Sequence, residues 1–68
     1  GTVPAVFNAA NEQAVDAFHE GRLDYLGILD VVQRTVDAHD APSVLTRESL
    51  AETEAWARAT ADQTIARR

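Results

Sequence analysis

The sequence predicts an all-α fold, a small up-down helical bundle of three main helices at about residues 4–20, 26–39 and 47–66. Each segment repeats apolar and small side chains at spacings of three and four residues, which is the period of one helix face. A glycine and a proline interrupt the pattern at the two joints, where helices are expected to end. We therefore expect residues 1–68 to form a single helical domain, since this length suits one domain and no more.

The first helix is expected to start at Pro4, because the first turn of a helix does not need the amide hydrogen that proline lacks. Gly21 supplies the expected stop. An alternative start places Asn8 at the N-cap, with Glu12 in the first turn, where the helix dipole favours an acid. The predicted buried stripe recurs at spacings of four, three and four: Phe7, Asn11, Ala14 and Phe18.

The second helix, at about residues 26–39, is rich in β-branched residues, and its Leu29–Val32 segment alone would suit a strand. The 3.6-residue spacing continues through the whole segment, so a helix is favoured. Pro42 disfavours helical geometry at the residue before it, which predicts a break in the stretch 40–43. The predicted buried side consists of Ile28, Leu29, Val32, Thr35, Val36 and His39.

The third helix is expected to begin after Thr46, a good N-cap residue. Trp56 lies beside its apolar stripe, and Arg67 and Arg68 complement the negative end of the helix dipole. The predicted stripe consists of Leu50, Thr53, Ala57, Ala61, Thr64 and Ile65. These side chains are mostly small, so they allow close helix approach but bury little area.

The charge balance excludes two classes of partner. The chain has a net charge of -5, and its six basic residues are all arginines. A nucleic-acid binder needs a basic face, and an anionic membrane surface selects for the same property. No apolar run is long enough to span a bilayer. We expect a soluble, cytoplasmic domain that binds neither nucleic acid nor membrane.

The standard catalytic and metal-binding patterns are not present in the sequence. The segment that begins at His19 resembles the zinc motif H-E-x-x-H, but Leu23 stands in place of the second histidine. Ser43, His39 and Asp40 are neighbours in sequence, which is no evidence for a catalytic triad, since geometry defines one. We expect no catalytic, cofactor-binding or metal-binding residue in this chain. His39 is interpreted as a partner of the helix dipole.

Three polar residues near the first stripe have two interpretations. Asn8 and Glu12 share one edge of the helix, and Asn11 lies within the predicted stripe. A buried carboxamide needs a hydrogen-bond partner. That partner is either local, with Asn8 as a cap and Asn11 bonded to a loop carbonyl, or the backbone of another domain. The second interpretation makes Asn8, Asn11 and Glu12 interdomain docking residues.

The chain carries the run Asn8-Ala9-Ala10-Asn11-Glu12, then Ala17-Phe18, Gly21-Arg22, Leu23, Tyr25 and Leu26-Gly27-Ile28. This order resembles the C-terminal domain of 1-deoxy-D-xylulose 5-phosphate reductoisomerase. In that family an N-A-A-N-E segment precedes an A-F step, a G-R pair, an apolar residue, an aromatic residue and L-x-I. The later Trp56-Ala57-Arg58 step is similar to the last helix of actinobacterial-looking members, so the resemblance covers nearly the whole chain. Gly27 stands where members commonly have aspartate, which predicts a weaker N-cap for the second helix.

The resemblance implies a parent enzyme that converts 1-deoxy-D-xylulose 5-phosphate to 2-C-methyl-D-erythritol 4-phosphate in non-mevalonate isoprenoid synthesis. It implies NADPH and Mg2+ or Mn2+ as cofactors, held by NADPH-binding and catalytic domains that are absent from this chain. Those domains are the expected partners. The resemblance leaves open whether the parent enzyme is a homodimer. On this interpretation the 68-residue chain is a non-catalytic scaffold, and its first residue, which is not methionine, favours an excised or processed piece or a tag remnant. The alternative is a stand-alone acidic module for protein–protein interaction.

Overall fold

The computed structural model of the chain describes residues 2–41 and 44–68. It contains three helices, α1 (Val3–His19), α2 (Tyr25–Ala38) and α3 (Arg47–Ala66), and no strand among the described residues. The predicted all-α fold is confirmed, and each predicted helix boundary lies within one residue of the observed one.

Helix α1 is the central element, because it packs more extensively against both α2 and α3 than they do against each other. The hydroxyl of Thr2 and the ring of His39 are hydrogen-bonded at 2.8 Å, so the start of α1 lies beside the end of α2. Helix α3 returns alongside α1, and Arg68, two residues after the end of α3, donates to Asp30 of α2 at 2.5 Å. The result is an up-down-up bundle, 37 Å long and about half as wide.

The inner side of α1 is built mainly from alanines, so the predicted stripe of Phe7, Asn11, Ala14 and Phe18 is wrong for three of its four members. Phe7 and Phe18 are exposed and Asn11 is half-buried, whereas Ala14 is buried as expected. The core is displaced by roughly one position around the helix from the predicted stripe. The residues of α1 that form it are Val6, Ala9, Ala10, Ala14 and Ala17.

Helix α2 shows a smaller error of the same kind. Val31 is fully buried and belongs to the core, although the predicted buried side did not include it. Leu29, placed inside it, is exposed. Thr35 is fully buried as predicted, and its hydroxyl donates to the carbonyl of Val31 at 2.8 Å, which satisfies the polar group locally.

The stripe predicted for α3 is confirmed. Ala57, Ala61 and Ile65 are buried, and they are spaced by four residues along the helix. The small side chains let α3 approach α1 closely, with Ala61 joining the cluster that contains Ala10 and Ala14. The remaining predicted members are half-buried: Leu50, Thr53 and Thr64.

Capping residues and a glycine explain where the first two helices begin and end. Thr2 is the N-cap of α1, so the alternative start at Asn8 is wrong. Gly21 ends the first helical segment with φ of 77°, a conformation that glycine adopts without steric cost. The N-cap of α2 is Asp24, whose carboxylate accepts from the amide of Gly27 at 2.6 Å. The weaker cap expected from Gly27 is therefore wrong, because aspartate three residues earlier supplies it.

Helix α3 begins with a capping box. The hydroxyl of Thr46 accepts from the amide of Ser49 at 3.0 Å, and the hydroxyl of Ser49 accepts from the amide of Thr46 at 2.7 Å. The predicted break at Pro42, and Ser43, lie outside the described residues. Among the helices described, none is both long enough and apolar enough to cross a membrane.

Candidate functional site

The outward side of α1 carries the three residues predicted to dock another domain. Asn8 and Glu12 are exposed, and Asn11 is half-buried. Within residues 2–41 and 44–68, neither carboxamide forms a side-chain hydrogen bond. The local interpretation, in which Asn8 caps the helix and Asn11 binds a loop carbonyl, is therefore wrong for the described residues. Both amides remain available to water or to a partner.

Glu12 differs from the two asparagines because it is engaged with α3. Its carboxylate accepts from the guanidinium of Arg58 at 2.5 Å, and this hydrogen bond, together with the negative charge, raises the pKa of Arg58. One residue further on, Gln13 donates to Asp62 at 2.8 Å. These contacts fix the side of α1 that faces α3. Asn11 lies on the opposite, α2-facing edge, and Asn8 lies between Glu12 and Asn11.

Large apolar side chains accumulate next to Asn11. On α1, the exposed fractions of Phe7 and Phe18 are 53% and 40%. On α2, those of Tyr25 and Leu29 are 66% and 59%. We name the surface formed by Phe7, Asn11, Phe18, Tyr25 and Leu29 the α1–α2 face.

Helical geometry places these residues on one side of the bundle. At roughly 100° per residue, Phe7 and Phe18 lie about half a turn from the Glu12 and Gln13 pair that contacts α3. On α2, Asp30 marks the α3 side through its bond with Arg68. Tyr25 and Leu29 are rotated away from Asp30, past the buried Val32. The α1–α2 face therefore looks away from α3.

A second feature lies at the end of the bundle where α2 finishes. His39 is the C-cap of α2, and its ring is hydrogen-bonded to the buried Thr2. The ring centroids of His39 and Trp56 are 5.8 Å apart. Sequence reasoning missed this cluster, because its members come from three elements and no periodic pattern connects them. A cavity of about 320 Å³ lies beside it, lined in part by His39, Asp40, Glu52 and Trp56.

Several acidic side chains of the described residues form ion pairs at the surface. In the part of the chain that the structure describes, no three His, Cys, Asp or Glu side chains converge as metal ligands would. Asp30 is bound by both Arg34 and Arg68, and Glu20 by Arg22, so these acids act in surface ion pairs. An exposed apolar face that includes the Asn11 amide, which forms no side-chain hydrogen bond with the described residues, is suited to contact with another protein surface.

Comparison with known proteins identifies the relatives of the chain. Residues 1–60 match the family described as the DXP reductoisomerase C-terminal domain. The 1-deoxy-D-xylulose 5-phosphate reductoisomerase of Leifsonia xyli subsp. xyli is 63% identical over 67 residues, which cover 98% of this chain and 19% of that protein. The enzymes of the same name from Pseudarthrobacter chlorophenolicus and Streptomyces coelicolor are each 51% identical, over 96% and 97% of this chain and 16% of their own length. No solved structure gives a significant match.

The chain thus spans less than a fifth of the length of these relatives. The match to the family covers α1, α2 and most of α3, so it includes both motifs from which the resemblance was drawn. On this evidence, the chain belongs to the DXP reductoisomerase C-terminal domain family.

Proposed function

We propose that this chain is the C-terminal structural domain of an enzyme that converts 1-deoxy-D-xylulose 5-phosphate to 2-C-methyl-D-erythritol 4-phosphate. The observation that carries the proposal is the family match over residues 1–60, supported by identities of up to 63% with proteins named as that reductoisomerase. The proposed parent uses NADPH and Mg2+ or Mn2+. The proposed parent enzyme acts in the non-mevalonate route to isoprenoids.

Within that parent, the proposed role of the chain is architectural. The three helices would position the NADPH-binding and catalytic domains, which hold the reacting groups, and the chain alone would neither bind cofactor nor turn over substrate. The charged side chains support this division, since two of the described ion pairs connect separate parts of the bundle: Glu12 to Arg58, and Asp30 to Arg68. Such surface pairs orient elements and are no substitute for a catalytic cluster.

The proposed docking residues are Asn8, Asn11 and Glu12. Asn8 and Asn11 present amides that pair with nothing in the described chain, so a partner backbone can bond them without displacing an internal contact. Glu12 would act indirectly, because its bond to Arg58 holds α1 against α3.

The test compares the 68-residue chain with the full-length polypeptide that contains it. Substrate-dependent NADPH oxidation, followed by absorbance with Mg2+ present, is expected for the full-length protein and not for the chain. Turnover or tight NADPH binding by the chain alone would contradict the architectural role. A full-length protein without this activity, or a gene that encodes only these residues, would contradict the assignment to a parent enzyme and favour a stand-alone interaction module.

A further inference from the structure

We propose that the α1–α2 face is the main docking surface of the domain, and that its occupant is an apolar, uncharged segment of the parent polypeptide outside these 68 residues. This inference rests on the proposed function and specifies its partner surface. In this proposal the partner contacts mainly the apolar residues beside Asn11, and Glu12 contributes less.

The α1–α2 face consists mainly of large apolar side chains. Single exposed apolar side chains are common on soluble proteins, whereas several on one surface mark an interaction site. Phe7, Phe18, Tyr25 and Leu29 are each at least 40% exposed, although the buried positions of the same helices are filled by alanine, valine, glycine and threonine. The larger side chains are thus outside and the smaller ones inside.

The chemistry of the face defines its occupant. Helical spacing places the charged residues Glu12, Asp16 and Asp30 towards α3, so the α1–α2 face carries no charge among the residues that form it. Asn11 is its polar member, and its side chain offers one acceptor and two donor hydrogens. An apolar surface that presents a backbone amide or carbonyl opposite Asn11 would satisfy both features.

The choice of the parent polypeptide over a second copy follows from charge and length. Each copy has a net charge of -5, so two paired copies carry twice that net negative charge, which opposes association. The relatives, in contrast, are more than five times as long as the matched segment, and supply ample chain to cover the face.

Two leucines of nearly equal exposure serve as the test position and its matched control. Leu29, on the α1–α2 face, is 59% exposed, and Leu45, in the segment before α3, is 58% exposed. Leu29→Ser and Leu45→Ser are made in the 68-residue chain and in the full-length enzyme, and thermal unfolding is followed by circular dichroism. We expect Leu29→Ser to lower the Tm of the full-length enzyme by about 3 °C or more. In the 68-residue chain it should leave the Tm unchanged, and Leu45→Ser should change neither protein.

The outcomes separate this inference from the proposed function. Reductoisomerase activity of the unaltered full-length protein tests the function by itself. If that protein is active and Leu29→Ser leaves its Tm unchanged, the α1–α2 face is not the docking surface, although the function stands. If the 68-residue chain sediments as a dimer that Leu29→Ser dissociates, the occupant is a second copy and the inference is wrong.

Discussion

The inner side of α1 and the α1–α2 face show opposite uses of side-chain size. Ala10 and Ala14 are fully buried against the other helices, whereas Phe7 and Phe18 remain exposed. A large apolar side chain contributes about 1.5–3 kcal/mol when fully buried, far more than alanine can. A bundle optimised to be stable alone would bury the phenylalanines. The arrangement seen instead fits a domain with one tight interface inside and a second apolar interface reserved for a partner.

The substitution Ala61→Leu tests how closely α3 packs against the inner side of α1. Ala61 is fully buried in the cluster with Ala10 and Ala14, so three extra carbons have no space without moving α3. We expect a loss of about 3 kcal/mol in the free energy of unfolding. Urea denaturation of the 68-residue chain measures it. Ala59→Leu, on the exposed side of the same helix, is the matched control and should change the stability by less than about 0.5 kcal/mol.

Two alanine substitutions in α2 compare the buried side of the helix directly with the α1–α2 face. Val31 is fully buried, and Leu29, two residues earlier, lies on the α1–α2 face. Val31→Ala should cost about 2 kcal/mol in the 68-residue chain. Leu29→Ala removes a larger side chain and should cost less than about 0.5 kcal/mol there. Equal losses in urea denaturation would show that Leu29 is packed inside the domain, and would remove the contrast between the two regions.

The N-cap of α3 belongs neither to the inner side of α1 nor to the α1–α2 face. Thr46→Ala removes the acceptor for the amide of Ser49 and half of the capping box. We expect a loss of about 1 kcal/mol. The loss should be the same in the 68-residue chain and in the full-length enzyme, because no docking contact is involved. Arg47→Ala serves as the control, and a larger loss for Thr46→Ala in the full-length enzyme would place the cap in an interface.

The smallest expected effect is at the ion pair of Glu12 and Arg58. Both side chains are solvent-accessible, so Glu12→Gln should lower the free energy of unfolding less than Thr46→Ala does, and the loss should shrink further in high salt. A double-mutant cycle with Arg58→Gln isolates the pair energy. A loss in the full-length enzyme several times that in the chain would return Glu12 to the centre of the docking surface.

The fold could be predicted because helix periodicity, proline, glycine and threonine act locally. Gly21 and Thr46 end and begin helices for reasons contained in a few neighbouring residues. The family could likewise be recognised from the order of short motifs. Neither inference required knowledge of which helix packs against which.

The buried sides were harder to predict, and the errors share one cause. Hydrophobicity placed Phe7 and Leu29 inside, because the sequence was interpreted as if all apolar surface had to be buried within the chain. The alanine-rich α3 instead selects an alanine-lined side of α1, since close approach requires small side chains on both helices. The contacts of His39 with Thr2 and Trp56 depend on the same packing, so no local pattern could reveal them.

Whether the α1–α2 face is covered in the full-length enzyme is tested by its chemical accessibility in the 68-residue chain and in the enzyme. The chain has no cysteine, so Leu29→Cys and Leu45→Cys each introduce one defined thiol into it. Labelling with a maleimide reagent, located by mass spectrometry, is timed in the 68-residue chain and in the full-length enzyme. We predict that position 29 reacts rapidly in the chain and at least about tenfold more slowly in the enzyme, while position 45 reacts at similar rates in both. Equal rates at position 29 in the two proteins would contradict the account.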